Sequence, residues 1–336
     1  MFYLLRVFSG LRMKKVFASI DYVSKDCGKS KVWVFFDMVS CFLLHGAGHN
    51  DYRKFKLYQC NNKQRATYVT RVRNKKLITL LNDEEYSNFF DSKLIFNERF
   101  KKYLGRDYMA IETATFEDFC KFMEGKDDVF AKPDGLSSGK GIERLYKKDF
   151  ASLEDMWAYI NSDDKLFDLL EESIVQHPAL AQIHPASVNS LRVVTLNYNG
   201  EVYIPYACLK AGNNNAVVDN VGPGGVTSRV DRETGICSKY LANEYGEVVT
   251  KHPLTGFDFE GFKVPYWEEV KKLATEVAKE VPQLGLVGWD IYVGPNGPGI
   301  IEGNNYPGYD FDQIPEDFPD KIGTWAFYKS IIKELN

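Results

Sequence analysis

Hydrophobic and polar positions along the chain follow helical spacing first and change character near residue 107. Residues 1–90 read as mostly helical, with apolar clusters such as Val32-Trp33-Val34-Phe35-Phe36 and Phe42-Leu43-Leu44. Segment 66–81, ATYVTRVRNKKLITLL, suits a helix or a strand. In 91–104, Leu94, Phe96, Phe100 and Leu104 recur at near-helical spacing, and Asp91 is placed to cap that helix. Beyond 107, FEDFCKFME predicts a helix, VFAKP a short strand, DGLSSGKG a loop, FASLEDMWAYI a helix and LLEESIVQ a strand. SLRVVTLNYNGEVYIPYACL predicts two strands joined at Asn199-Gly200, a pair that tolerates the positive φ of a tight hairpin. A second hairpin turn is expected near Asp231–Gly235. In 265–281, Trp267, Val270, Leu273, Ala274 and Val277 share one helical face. LVGWDIYVG and GIIEGNNYPG predict two last strands, with PNGPG turning between them. Hairpins interleaved with helices predict an α+β fold with a largely antiparallel sheet.

The chain has 336 residues, enough for two or three packing units. Its 44% hydrophobic and 26% charged residues exclude global disorder. No apolar run reaches the roughly 18–20 residues that span a bilayer. The opening MFYLLRVFSGLRMKK is broken by Arg6 and Arg12 and lacks a small-residue cleavage site, so no secretory signal is expected. Six scattered cysteines form no C-x-x-C pair, which predicts a reducing cytoplasm. The five histidines do not cluster with them, so no zinc site is expected. Charge is uneven. Residues 1–80 carry sixteen Lys/Arg against four Asp/Glu, and the remainder carries twenty-six against forty-two. A basic front suits an anionic polymer or the inner face of a membrane, and equally a basic module docked on an acidic one. The basic stretch 53–76 matches no nucleic-acid reading module, and no nucleic-acid partner is expected.

Five clusters carry candidate chemistry. The loop Lys132-Pro133-Asp134-Gly135-Leu136-Ser137-Ser138-Gly139-Lys140-Gly141 offers backbone N–H groups, hydroxyls and two lysines to a phosphate, or is a plain turn. It is neither a Walker A motif nor G-x-G-x-x-G. A tight hairpin between the last two strands would set Asp290 opposite Glu302, with Asn304 on the same strand face as Glu302. Two carboxylates and an amide oxygen form a hard site suited to Mg²⁺, or an edge charge and an oxygen-rich turn. Glu171, Glu172 and Ile174 sit in a strand that reads as an adenine-facing hinge or as an ordinary strand with solvated acids. His177 beside them is a ligand or a hydrogen-bonded structural histidine. Arg192, with Val194 and Leu196 on an apolar strand face, needs an anion, either a structural carboxylate or a transferring phosphate. Lys210 lies on the return strand. Finally, Asp219-Asn220-Val221-Gly222-Pro223-Gly224-Gly225 is a flexible connection or a substrate-covering loop.

The order of these pieces is more specific than any one of them. From about residue 91 to 310 the chain resembles the ATP-grasp superfamily. The matching features are Asp91-Ser92-Lys93 before a helix, Lys132-Pro133 with its Gly-Ser loop, Glu171–Ile174, Arg192, Lys210, Asn220 to Gly225, Asp290, and Glu302-x-Asn304. H-G-A-G-x-x-D-Y (residues 45–52), S-x-N-S-L-R-V-V-T, His252-Pro253-x-Thr255-Gly256 and G-W-D-I narrow it. Together they resemble the sugar-transfer-associated ATP-grasp proteins of bacterial surface-polysaccharide clusters, over roughly residues 40–325. The resemblance implies a basic helical region (1–90), a lid subdomain (91–175) and a C-terminal subdomain with the metal site (176–336). It implies ATP and one or two Mg²⁺ ions as cofactors. Lys93, Lys132, Ser137 to Gly141, Glu171, Glu172, Ile174 and His177 would hold nucleotide. Asp290, Glu302 and Asn304 would hold metal, and Arg192, Lys210 and Asn220 would be catalytic. It further implies an ADP-forming carboxylate–amine ligase acting on small acids and amines, free or sugar-linked. A kinase acting on an alcohol and a non-catalytic nucleotide-binding scaffold remain alternatives.

Overall fold

The computed structural model describes residues 13–136, 140–213 and 224–336. They divide into two compact units, one drawn from within residues 1–80, 242–249 and 308–336 and one from within residues 81–241 and 250–307.

The first unit is helical, as its apolar spacing predicts. Met13–Cys27 and Lys31–His45 are its longest helices. Ser30 caps the second by accepting from Trp33 N, and Gly46 ends it at φ 68°. Ile20, Val23, Val34, Met38, Cys41, Tyr52 and Phe55 form the core. The ambiguous segment 66–81 resolves as a helix, Arg71–Leu81. The H-G-A-G-x-x-D-Y segment has a structural task. Buried Asp51 accepts from Gly48 N at 2.8 Å and Arg71 N at 2.9 Å, and its other oxygen accepts from Tyr309 Oη at 2.6 Å. Burial pushes its carboxyl up to about 6.

In the second unit the cap expected at Asp91 falls one residue later. Asp91 closes the short helix Asn88–Asp91, and Ser92 Oγ accepts from Ile95 N to start Lys93–Arg99. The strands of the described residues, β9 belonging to the first unit, are β1 (Tyr108–Ala110), β2 (Asp128–Lys132), β3 (Glu143–Tyr146), β4 (Leu169–Glu172), β5 (Leu191–Tyr198), β6 (Glu201–Ala211), β7 (Val226–Val230), β8 (Cys237–Ala242), β9 (Val248–Val249), β10 (Leu286–Gly294) and β11 (Gly297–Asn304). A four-stranded sheet runs β1-β4-β2-β3, antiparallel throughout. Helices Phe116–Phe122 and Leu153–Ile160 bury Phe119, Met156 and Ile160 in a core with Val129, Ala131 and Leu170. In the larger sheet six neighbouring strands run β11-β10-β5-β6-β7-β8. Trp267, Val270, Ala274 and Val277 of helix Trp267–Glu280 enter its core, and Leu273 is partly buried. The β5–β6 turn is Asn199-Gly200, at φ 55° and 85°, so the expected hairpin forms with both residues left-handed.

Candidate active site

One cleft of about 670 Å³ in the second unit collects side chains from both sheets. Lys93 and Asn97 reach it from helix Lys93–Arg99, Lys132 from β2, Glu171 and Glu172 from β4, and Ile174 from just beyond. Arg192 (β5), Lys210 (β6), Asp290 (β10), and Glu302 and Asn304 (β11) complete it.

The carboxylate side follows from strand register. Asp290 pairs with Glu302, as the hairpin argument predicts, and with Arg192 across the other edge of β10. The next pair is Ile291 with Ile300, so Ile301 is an extra residue, a bulge beside the site. At Gly303 a Cβ would lie 2.0 Å from the Phe90 ring, so only glycine fits between Glu302 and Asn304. Arg192 grips Asp290 with two bonds, Nε to Oδ1 at 2.5 Å and Nη2 to Oδ2 at 3.1 Å, and Lys210 Nζ donates to Oδ2 at 2.8 Å. The anion beside Arg192 is therefore a carboxylate in this structure. Burial favours the neutral acid at Asp290, but the two cations outweigh it and hold the carboxyl well below the usual range. Glu302 lies open to water inside the cleft and, among the described residues, accepts no hydrogen bond. The walls that withhold bulk solvent, followed by the Asp290 charge, push its carboxyl up.

The cationic side centres on Glu171. Asn97 Nδ2 donates to its Oε1 at 2.9 Å, while Lys132 Nζ (2.6 Å) and the Nε and Nη2 of Arg106 (3.2 and 3.1 Å) donate to its Oε2. Arg106 also reaches the bulge, donating to Ile300 O at 2.5 Å and Ile301 O at 3.3 Å. It thus ties the two sheets together. Burial opposes ionisation of Glu171, yet Arg106 and Lys132 hold its carboxyl far below the usual range. Asp134, in the glycine loop, accepts from Ser92 Oγ at 2.7 Å and Lys93 N at 2.5 Å, and Lys93 Nζ donates to Leu136 O at 2.6 Å.

Ten of the expected residues line the cleft: Lys93, Lys132, Glu171, Glu172, Ile174, Arg192, Lys210, Asp290, Glu302 and Asn304. Glu172 also accepts from Asp107 N at 2.9 Å. Lys140 and Gly141 are exposed and stand outside the lining. His177 stands outside it too, capping the short helix Pro178–Ala181 by accepting from Ala179 N at 3.2 Å. Ser137, Ser138, Gly139 and Asn220 lie outside the described residues. Sequence reasoning missed Asn97 and Arg106. Asn97 was findable four residues after Lys93 on one helical face. Arg106, in a Gly-Arg-Asp turn, carried no local signal.

The sequence profile of the sugar-transfer associated ATP-grasp family matches residues 72–318, well over half of the chain. The chain belongs to this family. No curated protein matches it significantly. Solved structures with a similar fold include D-alanine–D-alanine ligase from Helicobacter pylori, at 15% identity over 76% of this chain and 68% of that one, with a TM-score of 0.41. Another is N5-carboxyaminoimidazole synthetase from Staphylococcus aureus in complex with ADP, at 10% identity over 72% and 56%, with a TM-score of 0.44. A third is the ATP-grasp ligase PsnB with minimal precursor, Mg and ADP, at 14% identity over 83% and 73%, with a TM-score of 0.39. The chain thus spans little more than half the length of the synthetase. The ATP-grasp family and the α+β fold expected from the motifs are both met. No group of three or more His, Cys, Asp or Glu stands together as a metal cage among the described residues. Beside Asp290 in this cleft stand the Glu302 carboxylate and the Asn304 amide, whose Oδ1 accepts from Tyr306 N at 2.8 Å.

Proposed function

We propose that the chain is an ATP-dependent carboxylate–amine ligase that works through an acylphosphate. Its product in this reading is an amide on a sugar of a bacterial surface polysaccharide, formed at a uronic acid or an amino-acid substituent. One observation carries the reading: a single cleft holds a lysine–arginine cluster around Glu171 and a second cluster in which Glu302 stands beside Asp290 without a hydrogen bond among the described residues. The first suits polyphosphate and the second a hard cation.

Residue chemistry supports the divalent ion, because the donors are hard oxygens and Glu302 is uncommitted. Asp290, Glu302 and Asn304 would hold one or two Mg²⁺, which supply positive charge to the phosphate oxygens of ATP. The protein's own groups do the rest. Lys132 and Lys93 exchange Glu171 and Leu136 O for the phosphates, and the Ser137–Gly141 loop adds N–H donors. Glu171 to Ile174 border the adenine. Arg192 and Lys210 turn from Asp290 to the transferring phosphoryl and stabilise its charge. A substrate carboxylate oxygen bonds to the γ-phosphorus as the bond to ADP breaks. An amine then attacks the acyl carbon, phosphate leaves, and the amine proton passes to solvent. The four-stranded sheet acts as the lid that keeps water from the acylphosphate. ATP use and six free thiols suit a cytoplasmic compartment.

The test is ADP release by the full chain with a panel of uronic acids and amino acids. Release that needs an acid and an amine together supports the ligase. Release with an alcohol alone replaces it with a kinase, and no release with any pair refutes the ligase.

A further inference from the structure

Helix Lys31–His45 is apolar on two faces and packed on one. Val34, Met38 and Cys41 point into the core of the helical unit. On the other side Val32, Phe36 and Leu43 form a stripe, each more than 60% exposed, and Leu44 beside them is 64% exposed. Trp33 and Phe35 extend this face. A helix apolar all round belongs where both faces are covered, so something of apolar character covers this one.

Charge identifies the occupant. Asp37, the only acid on the helix, turns inward, where Arg65 donates to it at 2.6 and 2.9 Å and Tyr52 Oη at 2.5 Å. The outer face therefore carries no carboxylate. Lys29, just before the helix, sets its Nζ 5.9 Å from the centre of the Trp33 ring, and the preceding helix Met13–Cys27 carries exposed Lys14, Lys15 and Lys25, while Lys31 pairs with Asp21 at 2.6 Å. The first eighty residues hold sixteen basic against four acidic side chains. An apolar stripe with a lysine and an indole at its edge, in a strongly basic part of the chain, is the pattern of a helix lying in the headgroup region of a membrane. Fifteen residues give a helix about 22 Å long at 1.5 Å per residue, short of the roughly 30 Å hydrocarbon core. No helix among the described residues is long and apolar enough to cross a membrane.

We infer that the outer face of helix Lys31–His45 docks the protein on an anionic lipid surface, with Phe36 and Leu43 entering the acyl boundary and the surrounding lysines meeting lipid phosphates. The docking is independent of turnover, so it can be tested apart from the ligase reading.

The experiment is co-sedimentation of the full chain with phosphatidylcholine vesicles, with and without phosphatidylglycerol, at low and high salt. Binding is expected only with the anionic lipid and should weaken as salt rises. Phe36→Glu combined with Leu43→Glu should lower vesicle partitioning by at least about ten-fold, because both side chains lose apolar burial. Its melting temperature should stay that of the parent. If the glutamate pair does not fold, Phe36→Ser with Leu43→Ser takes its place. Full-length protein left in the supernatant with anionic vesicles overturns the inference, as does unchanged binding by the folded double variant. A chain that sediments as a dimer, binds no vesicles and becomes monomeric in the double variant shows that a second copy covers the face instead.

Discussion

Glu171 and Asp290 repeat one arrangement with different surroundings. Each is a buried carboxylate held between two cations, and each is drawn well below the usual carboxylate range. Around Glu171 both oxygens are filled, the third partner is a neutral amide, and the cations outnumber the acid. Around Asp290 a second carboxylate, Glu302, balances the second cation and is not hydrogen-bonded among the described residues. The Glu171 cluster is a tie with surplus positive charge, and Arg106 extends it to the neighbouring sheet. In the proposed ligase the Asp290 cluster would give up its cations to an anion and take a metal ion in their place, so that one pole of the cleft would serve phosphate and the other the cation that accompanies it.

The sharpest way to break this contrast is to neutralise Glu302. Glu302→Gln should lower turnover by on the order of 10³-fold or more, since it removes a charged oxygen donor from the proposed metal site. The same change should stabilise the nucleotide-free protein. The carboxyl of Glu302 is raised in the folded state, so its contribution is present below the ordinary glutamate range and lost as pH rises through the raised value. Parent and variant should therefore melt alike below the ordinary glutamate range, and above it the glutamine form should melt higher. Near-normal ADP formation by a folded Gln variant removes Glu302 from the site.

Arg192→Lys tests whether the Asp290 cluster releases its cations. Lysine keeps the charge and loses the two-pronged fork. Turnover should fall by about 10²–10³ through lost transition-state stabilisation. Stability should fall by only about 1 kcal/mol, the worth of one hydrogen bond. Unchanged single-turnover ADP formation per folded molecule, with a large loss of melting temperature, makes Arg192 a structural partner of Asp290 and nothing more.

The Glu171 cluster should respond in the opposite manner. Arg106→Met leaves Glu171 with Lys132 as its only cation and strips two bulge carbonyls of a donor. A loss of about 2–3 kcal/mol is expected in denaturant melts. Because the Glu171 carboxyl is depressed, that stabilisation is present above the ordinary glutamate range and is lost as pH falls through the depressed value. The gap between parent and variant should hold at neutral pH and narrow in strong acid. A gap that widens in acid contradicts the assignment.

Features set by neighbouring residues were legible in the sequence. Asn199-Gly200 announced its turn because only such residues tolerate two positive φ values in a row. A turn of fixed length between β10 and β11 then brought Asp290 opposite Glu302. Features set by chain closure were not. The helical unit takes in residues 308–336, and Tyr309 meets Asp51 across more than 250 positions. Arg106 acts on two sheets that have no sequence relation to its own turn. Arg192 announced a need for an anion, but nothing local said that it and Lys210 would both meet Asp290.

The smallest expected effect separates cap from ligand at His177, just outside both clusters. Its Nδ1 accepts from Ala179 N, its backbone N–H donates to Val293 O at 2.7 Å, and its ring meets Tyr266 edge-on at 5.9 Å. All three contacts are internal, and the cleft lining does not include it. His177→Ala should therefore cost about 0.5–1 kcal/mol as a lost helix cap. His177→Asn, which supplies a capping oxygen, should recover most of that. ADP affinity, read by calorimetry on the same preparations, should stay at the parent value in both variants. A nucleotide ligand would behave differently: both substitutions would weaken ADP binding, and asparagine would restore stability without restoring affinity. That second pattern would move His177 back into the cleft and shift the adenine end of the site one strand terminus away from Glu171.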